Sequence, residues 1–237
     1  MIDPTGVVQY RKLSVIVPVF NERNTVGEIL RRMRAVDLDL EREFVVVDDG
    51  SDDGTTAVLS QLGDSTVKIV RHARNQGKGA AIRTGLENVT GDLVLIQDAD
   101  LEYDPEDWPK LIAPMLKGRA SVVYGSRFTG ERRNMLYTHW LGNKMLSVAT
   151  NLLYNTTLSD METCYKLFDR RVLDGLTIES DRFDFEPEIT AKILRKGIRI
   201  YEVPISFAGR ELADGKKITW RDGFSAIGAL VKYRFKS

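Results

Sequence analysis

The sequence contains a single cysteine, Cys164, among its 237 residues. A disulfide framework within the monomer is therefore excluded, as is a cysteine-based zinc site, and we interpret Cys164 as a small buried hydrophobic residue. No run of about 18 apolar residues occurs and no apolar stretch follows the first residues, so the sequence predicts neither a transmembrane segment nor a secretory signal. Thirty-four basic residues balance thirty-four acidic ones, so no overall positive field favours nucleic acid as a partner.

The rest of the composition is typical of a folded globular protein, with 43% hydrophobic and 29% charged residues. Apolar runs recur along the whole chain, which argues against intrinsic disorder. The sequence has no internal repeat, no low-complexity segment and no linker. It therefore predicts one continuous domain over residues 1–237.

Apolar β-branched runs alternate with helical patterns through the first half of the chain. The patterns predict strands at 13–19, 43–48, 67–71 and 92–97, and helices at 24–35, 54–62 and 77–88. This alternation predicts an α/β fold of Rossmann-like type, with a central, mostly parallel, twisted sheet flanked by helices. In the second half, the patterns predict helices at 106–117, 140–155, 186–196 and 222–235, a strand at 120–126 and an extended segment at 199–207.

Acidic side chains follow the strand predicted at 92–97, in the string VLIQDADLE. Ligands of such sheets bind outside the carboxyl ends of the strands, and hard divalent cations prefer oxygen ligands. Asp98, Asp100 and Glu102 are therefore candidate ligands of Mg²⁺ or Mn²⁺, which would bridge the phosphates of a nucleotide and neutralise a leaving diphosphate. The alternative is an ordinary acidic turn.

Two more polar strings follow predicted strands. In VVVDDGSDDGT, Asp49 is a candidate for contact with a nucleotide, and Gly50 suits a tight turn; the alternative is a plain turn with a helix cap. In VPVFNE, Phe20 is suited to pack on a base and Glu22 to accept a hydrogen bond from ribose or base. There the alternative is a pair of helix-capping side chains, Asn21 and Glu22.

The strings SVIVPVFNE, VVVDDGSDDGT, QDADLE and YGSRF occur in this order over the first 128 residues. Together they resemble the family-2 glycosyltransferases with the GT-A fold. Within that family the chain is similar to the dolichyl-phosphate mannose synthase branch, whose members charge polyprenyl phosphates with a hexose. The resemblance covers roughly residues 12–235.

The resemblance implies roles for individual residues. It implies a nucleoside cradle formed by Pro18, Phe20, Glu22, Val47 and Asp49, and a sugar-nucleotide and metal motif formed by Asp98, Ala99 and Asp100. It also implies that Arg127, in YGSRF, and Arg210, in SFAGR, bind phosphate, with Lys216 and Lys217 close behind. Arginine suits this task because its planar guanidinium makes bidentate contacts to phosphate.

The chain departs from the branch where the acceptor phosphate is expected. His139 and Asn143, in HWLGN, stand where many relatives have an Arg-x-x-x-Ser motif. The string DMETCYK replaces a more usual Asp-Pro-x-x-Gly-Phe pattern, so Asp160 is either an acceptor-positioning residue or a helix cap, and Lys166 is a weaker candidate. We expect the acceptor phosphate at His139, Asn143, Asp160 and Lys217, with Arg132, Arg133 or Lys144 supplying charge.

The resemblance implies an inverting, metal-dependent enzyme that moves a hexose from GDP-mannose or a UDP-hexose to a polyprenyl phosphate. The apolar stripes of residues 140–153 and 224–235, flanked by cations, either face lipid or pack into the core. We expect a cytoplasmic protein, peripheral on the cytoplasmic face of a membrane, with a membrane-anchored partner as a further option. A transferase with a soluble or glycan acceptor stays open, whereas a dinucleotide-binding oxidoreductase is disfavoured because residues 18–27 contain only one glycine.

Overall fold

The structure is a computed structural model that describes residues 9–62, 65–209 and 220–236. Its strands are β1 (Lys12–Val19), β2 (Glu41–Asp48), β3 (Val67–Arg71), β4 (Leu93–Ile96), β5 (Val122–Ser126), β6 (Lys166–Asp169) and β7 (Tyr201–Pro204). Its helices are α1 (Val26–Ala35), α2 (Thr55–Leu62), α3 (Lys78–Leu86), α4 (Trp108–Leu116), α5 (Tyr137–Tyr154), α6 (Arg170–Leu173), α7 (Phe185–Arg195) and α8 (Trp220–Phe235). A 3₁₀ turn, Pro105–Asp107, leads into α4.

The strands of the described residues form one sheet in the order β3-β2-β1-β4-β6-β5-β7. β3, β2, β1 and β4 are parallel, as are β5 and β7, whereas β6 is antiparallel to both of its neighbours. The predicted α/β fold with a mostly parallel sheet is thus confirmed. Strand β6 and helix α6 have no counterpart among the predicted elements, because a four-residue buried strand such as KLFD carries no periodic signal.

The elements predicted in the first half of the chain agree with the structure to within two residues at each end. Strand β1 is almost entirely buried, as its continuous apolar run requires. In helix α1 the predicted stripe of Val26, Ile29, Leu30 and Met33 is fully buried against the sheet. The strands and helices thus form where apolar side chains of the matching period supply a buried face.

Helix α3 lies unusually close to β1 because one of its residues has no side chain. A Cβ atom on Gly85 would stand 2.4 Å from Cγ2 of Ile16 in β1, so any larger residue would force the helix away from the sheet. This close packing brings the start of α3, with Gly77 and Lys78, to the edge of the sheet where the parallel strands end.

Helices α5 and α8 pack against each other beside the main core. Leu146 and Leu230 are buried in their contact, and the hydroxyl of Tyr154 donates to the Leu230 carbonyl at 2.6 Å. Other apolar residues of the two helices are exposed, among them Met145 and Leu152. The predicted apolar stripes therefore split into a core-facing part and a solvent-facing part. None of the described helices combines the length and apolar character needed to cross a bilayer.

Candidate active site

A cavity of about 390 Å³ lies where β1, β2 and β4 end. Its wall is built by residues at or just after these strand ends, together with the start of α3 and the loop before α7. Nine of the residues predicted from the sequence line this cavity: Pro18, Phe20, Glu22, Asp49, Asp98, Ala99, Asp100, Glu102 and Arg127. Parallel strands therefore gather side chains that are up to 109 positions apart in the sequence around one space.

Asp49 is held by the segment that connects β3 to α3. Its Oδ1 accepts from the backbone N–H of Gln76 at 2.9 Å and lies 2.6 Å from Nδ1 of His72, and its Oδ2 accepts from the N–H of Gly77 at 2.7 Å. The other ring nitrogen of His72 lies 2.9 Å from the Thr84 hydroxyl. A carboxylate offers about four acceptor positions. Asp49 thus keeps capacity for about one further donor, and its orientation is fixed.

The loops that follow β1 and β2 are tied together. The backbone N–H of Asn21 donates to the Ser51 hydroxyl at 3.0 Å, and the N–H of Glu22 donates to the Thr55 hydroxyl at 2.9 Å. Asn21 has a φ of 56°, a left-handed conformation that turns the chain sharply after β1. Helix α1 begins only at Val26 without a side-chain cap, so the alternative of Asn21 and Glu22 as capping side chains is wrong.

Val47 does not line the cavity. It is fully buried in β2 and packs in a small apolar cluster with Val45 and Ala81. Its side chain therefore supports the sheet behind the site, and the nucleoside contact implied for Val47 stays a prediction.

The acidic loop after β4 is joined to α3 and α7 by one lysine. Nζ of Lys78 lies 3.0 Å from Oδ1 of Asp98 and 2.9 Å from Oε1 of Glu186. Burial alone would lower the pKa of Lys78, but Asp98 and Glu186 outweigh it and hold the pKa well above its ordinary value. Lys78 therefore stays charged and fixes the orientation of the Asp98 carboxylate.

Asp100 lies two residues further along the same loop, where Leu101 adopts a left-handed φ of 64°. Its Oδ1 accepts from the N–H of Glu102 at 3.1 Å. Within the described ranges, no group of three or more His, Cys, Asp or Glu side chains is arranged to hold a metal ion. Asp98, Asp100 and Glu102 thus do not form a preformed three-carboxylate site, because the chain turns at Leu101 and Asp98 is already paired with Lys78.

Arg127, which follows β5, is clamped by two other predicted residues. Its Nε and Nη2 each donate to a different oxygen of Asp160 at 2.7 Å, and Nη2 also donates to Oδ1 of Asn143 at 3.1 Å. Asp160 is fully buried. Burial alone would lower the pKa of Arg127, but the Asp160 carboxylate holds it well above its ordinary value. Asp160 therefore positions a charged guanidinium at the cavity, and the alternative of a helix cap is wrong.

The comparison with protein families decides what this architecture is. The model of the family described as Glycosyl transferase family 2 matches residues 14–177, more than half of the chain. The chain belongs to this family.

Among curated proteins, this family-2 chain is 31% identical over 220 residues to an undecaprenyl-phosphate 4-deoxy-4-formamido-L-arabinose transferase of Enterobacter sp. (strain 638). The match covers 90% of the chain and 64% of that protein. The protein of the same name from Klebsiella pneumoniae subsp. pneumoniae is 29% identical, over 87% of the chain and 62% of that protein. The chain thus spans slightly less than two thirds of the length of these relatives.

Solved structures agree on the fold. Mannosyl-3-phosphoglycerate synthase from Rubrobacter xylanophilus superposes with a TM-score of 0.73 and 21% identity, over 94% of the family-2 chain and 73% of that protein. Glucosyl-3-phosphoglycerate synthase from Mycobacterium tuberculosis, in complex with Mn²⁺ and UDP-glucose, gives a TM-score of 0.71 at 21% identity, over 94% and 79% of the two chains. The predicted GT-A fold is thereby confirmed.

The remaining predicted residues of the family-2 chain are spread more widely. The backbone carbonyl of His139 accepts from Nδ2 of Asn143 at 2.7 Å, as part of α5. Lys144 donates to the Ser159 carbonyl at 3.1 Å and lies 4.1 Å from the centre of the Phe128 ring. Lys166 is fully buried and donates to the carbonyls of Met161 and Thr163. Lys166 thus braces the loop before β6, and its proposed acceptor contact is wrong. The predicted Arg210, Lys216 and Lys217 lie outside the described residues.

Several cavity residues were absent from the sequence-based set: Lys78, Glu162, Arg182, Phe183 and Glu186. One signal for Lys78 was available, because it lies between two glycines at the start of a predicted helix. Cβ atoms on Gly77 and Gly79 would stand 2.3 Å from the carbonyls of Asp181 and Ser180, so the loop before α7 packs directly on the start of α3. No local pattern reveals that contact, since it joins segments about 100 residues apart.

Proposed function

We propose that the chain is an inverting glycosyltransferase that moves a hexose from a nucleotide sugar, GDP-mannose or a UDP-hexose, to a polyprenyl phosphate. The observation that supports this most strongly is that one cavity joins the acidic loop of Asp98 and Asp100 to the clamped guanidinium of Arg127. The first can hold a leaving diphosphate through a cation, and the second can hold an anionic acceptor. Membership of glycosyl transferase family 2 agrees with this chemistry.

A divalent cation, Mg²⁺ or Mn²⁺, fits the carboxylates of the acidic loop. Mg²⁺ is commonly bound by one or two carboxylates together with substrate phosphates, rather than by an all-protein cage. Asp100 and Asp98 would supply the protein ligands, with Glu102 beside them, which agrees with the lack of a preformed three-residue site among the described residues. Such a cation would neutralise the developing charge of the departing diphosphate.

The proposed reaction is a single displacement. A phosphate oxygen of the acceptor forms a bond to the anomeric carbon of the sugar, and the bond from that carbon to the nucleoside diphosphate breaks, with its electron pair leaving on the diphosphate. A phosphate monoester is already ionised at pH 7, so the attack needs no general base. The chain's own contribution is positioning and charge stabilisation, and an α-linked donor gives a β-linked product.

The acceptor is proposed from the relatives and from α5. The curated relatives are named as undecaprenyl-phosphate transferases. The inner side of α5 presents Asn143 to Arg127, while its outer side exposes apolar side chains one or two turns apart: Leu141, Met145, Val148 and Leu152. An apolar stripe on a helix that borders the acceptor side suits contact with a bilayer surface. We therefore propose a peripheral location on the cytoplasmic face of a membrane, with or without a membrane-anchored partner protein.

The proposal is tested by offering the purified chain a panel of nucleotide sugars with Mg²⁺ or Mn²⁺ and a short polyprenyl phosphate, and measuring products by mass. We expect a hexosyl phosphate lipid with one donor, formed at least about 100 times faster than free sugar is released. Transfer to a soluble phosphate or glycan, with none to the lipid, would instead establish the alternative acceptor class. Absence of turnover and of donor binding across the whole panel would refute the proposal.

His72 is expected to position Asp49 for the donor. Replacing His72 with leucine removes one hydrogen bond to a charged group, a loss of about 1.5–3 kcal/mol. We expect the KM for the donor to rise about tenfold or more while kcat changes little, because Asp49 lies at the strand end expected to hold the nucleoside. Thr84→Val is the matched control, because it removes only the distant partner of the ring. An unchanged KM in His72→Leu, measured on folded protein, would show that Asp49 needs no such support.

A further inference from the structure

Two carboxylates that line the cavity have oxygen atoms without a hydrogen-bond partner. Oε1 of Glu162 and Oε2 of Glu186 are both buried and unpaired within the described part of the chain. Both residues line the cavity, and Glu186 is only 4% exposed. Buried polar atoms in native proteins are nearly always paired, so an unpaired oxygen in a cavity wall needs an explanation. A ligand hydroxyl bonded to these carboxylates would supply it.

The nearby lysines do not pair with these two oxygen atoms. Lys78 reaches the other oxygen of Glu186 and both oxygens of Asp98. Lys166 directs its hydrogen bonds to the carbonyls of Met161 and Thr163. Neither lysine therefore pairs with Oε1 of Glu162 or Oε2 of Glu186, although both residues line the cavity.

The surroundings of Glu162 favour its protonated form. Burial, and then the neighbouring Glu186, raises the pKa of Glu162 to about 8, against the opposing effect of Lys166 and Arg127 and with a smaller contribution from Asp160. The ion pairs nearby are already formed, Arg127 with Asp160 and Lys78 with both Asp98 and Glu186. A sugar carboxylate placed against Glu186 would therefore meet a like charge whose counter-ion, Lys78, is already shared with Asp98.

The position of these residues identifies the part of the donor that they meet. The nucleoside is expected at Phe20 and Asp49 and the diphosphate at Asp100. Glu186 shares Lys78 with Asp98, and Glu162 lies near enough to Arg127 for that charge to act on it. The transferred sugar must occupy this region if the acceptor phosphate is to reach its anomeric carbon from Arg127.

We propose that Glu162 is a specificity-determining residue for the donor sugar: with Glu186 it forms hydrogen bonds to hydroxyl groups of an uncharged hexose and disfavours a sugar that carries a carboxylate. This inference rests on the proposed function, because it assigns the sugar to the same cavity. It adds a residue of the DMETCYK segment to the donor site, whereas the sequence pattern connects that segment with the acceptor.

The test measures donor binding by calorimetry with Mg²⁺ and without acceptor, so that it does not depend on the acceptor class. The probes are UDP-glucose and GDP-mannose, followed by analogues of the tighter binder in which each ring hydroxyl is removed in turn. Glu162→Leu is expected to weaken binding of the intact donor about 10- to 100-fold. For one deoxy analogue, the one lacking the hydroxyl that Glu162 contacts, the same substitution is expected to have little effect.

A rescue variant and a charge test complete the experiment. Glu162→Gln keeps both a donor and an acceptor and is expected to bind within about threefold of the wild type. Glu106→Gln, an exposed carboxylate outside the cavity, is the control for a general loss of charge. UDP-glucuronate is expected to bind the wild type at least about tenfold more weakly than UDP-glucose.

The role of Glu162 and the proposed transferase activity can be refuted separately. If Glu162→Leu weakens all analogues equally, or if the uronate binds as tightly as the neutral sugar, the role of Glu162 is refuted while the transferase proposal stands. If no nucleotide sugar binds the wild-type chain, the proposed function itself is refuted and this role with it.

Discussion

Replacing Asp100 with asparagine is expected to lower kcat by about 100- to 1000-fold, the usual cost of removing one group that stabilises a transition-state charge. Asparagine keeps the size of the side chain and an oxygen that can accept the N–H of Glu102, so the turn at Leu101 should survive. What is lost is the charge that would hold a divalent cation against the leaving diphosphate. The measurement is steady-state turnover with saturating donor, with and without added Mn²⁺.

Glu106→Gln is the matched control for Asp100→Asn, since Glu106 lies in the same connection between β4 and α4 but is exposed outside the cavity. It should leave turnover within about twofold of the wild type, as is usual for exposed substitutions. Wild-type turnover should also disappear when all divalent metal is chelated. If Asp100→Asn kept full activity under strict chelation, the diphosphate would have to be stabilised by other residues.

Breaking the Arg127–Asp160 pair is expected to cost both folding stability and activity. Arg127→Met leaves a fully buried carboxylate without its counter-ion, which typically lowers the free energy of unfolding by about 3–5 kcal/mol. It also removes the guanidinium proposed to hold the acceptor phosphate, so kcat/KM for the acceptor should fall about 1000-fold. Chemical denaturation and acceptor kinetics measure the two effects on the same preparation.

A double variant separates stability from function. In Arg127→Met/Asp160→Asn, the buried negative charge is gone and the asparagine oxygen can still accept the backbone N–H of residue 127. We expect this double variant to regain a large part of the stability lost by Arg127→Met, yet to stay as inactive. Recovery of activity together with stability would mean that Arg127 supports the fold only and does not hold phosphate.

The first half of the fold was predictable because its signals are local. Strand β1 and helix α1 each show their own apolar period, and turn-forming residues separate them. Strand β6 lacks such a signal, since its four residues form a strand only through pairing with β5 and with β4, which lies about 75 positions earlier. The extended segment predicted at 199–207 is likewise a strand only over Tyr201–Pro204, where β5 pairs with it.

The candidate site divides in the same way. Asp49, Asp98 and Asp100 follow apolar strands, and strand direction alone brings them to one rim of the sheet. Glu162 and Glu186 belong to segments whose place depends on long-range packing, so their type and spacing give no hint of the cavity. The sequence also does not show that Asp160 serves Arg127, because this contact spans 33 positions and is made by side chains.

The reversed direction of β6 has a consequence for how this scaffold can change. β5 ends at Ser126 and β6 starts at Lys166 beside it, with Tyr124 paired to Lys166. The segment that connects β5 to β6, which includes α5, leaves the sheet and returns to it beside the strand where it began. This segment can be lengthened or exchanged at modest entropic cost, because its two ends are already anchored side by side. The half of the fold that carries Asp49, Asp98 and Asp100 could therefore be kept through evolution or engineering while the segment between β5 and β6 changes.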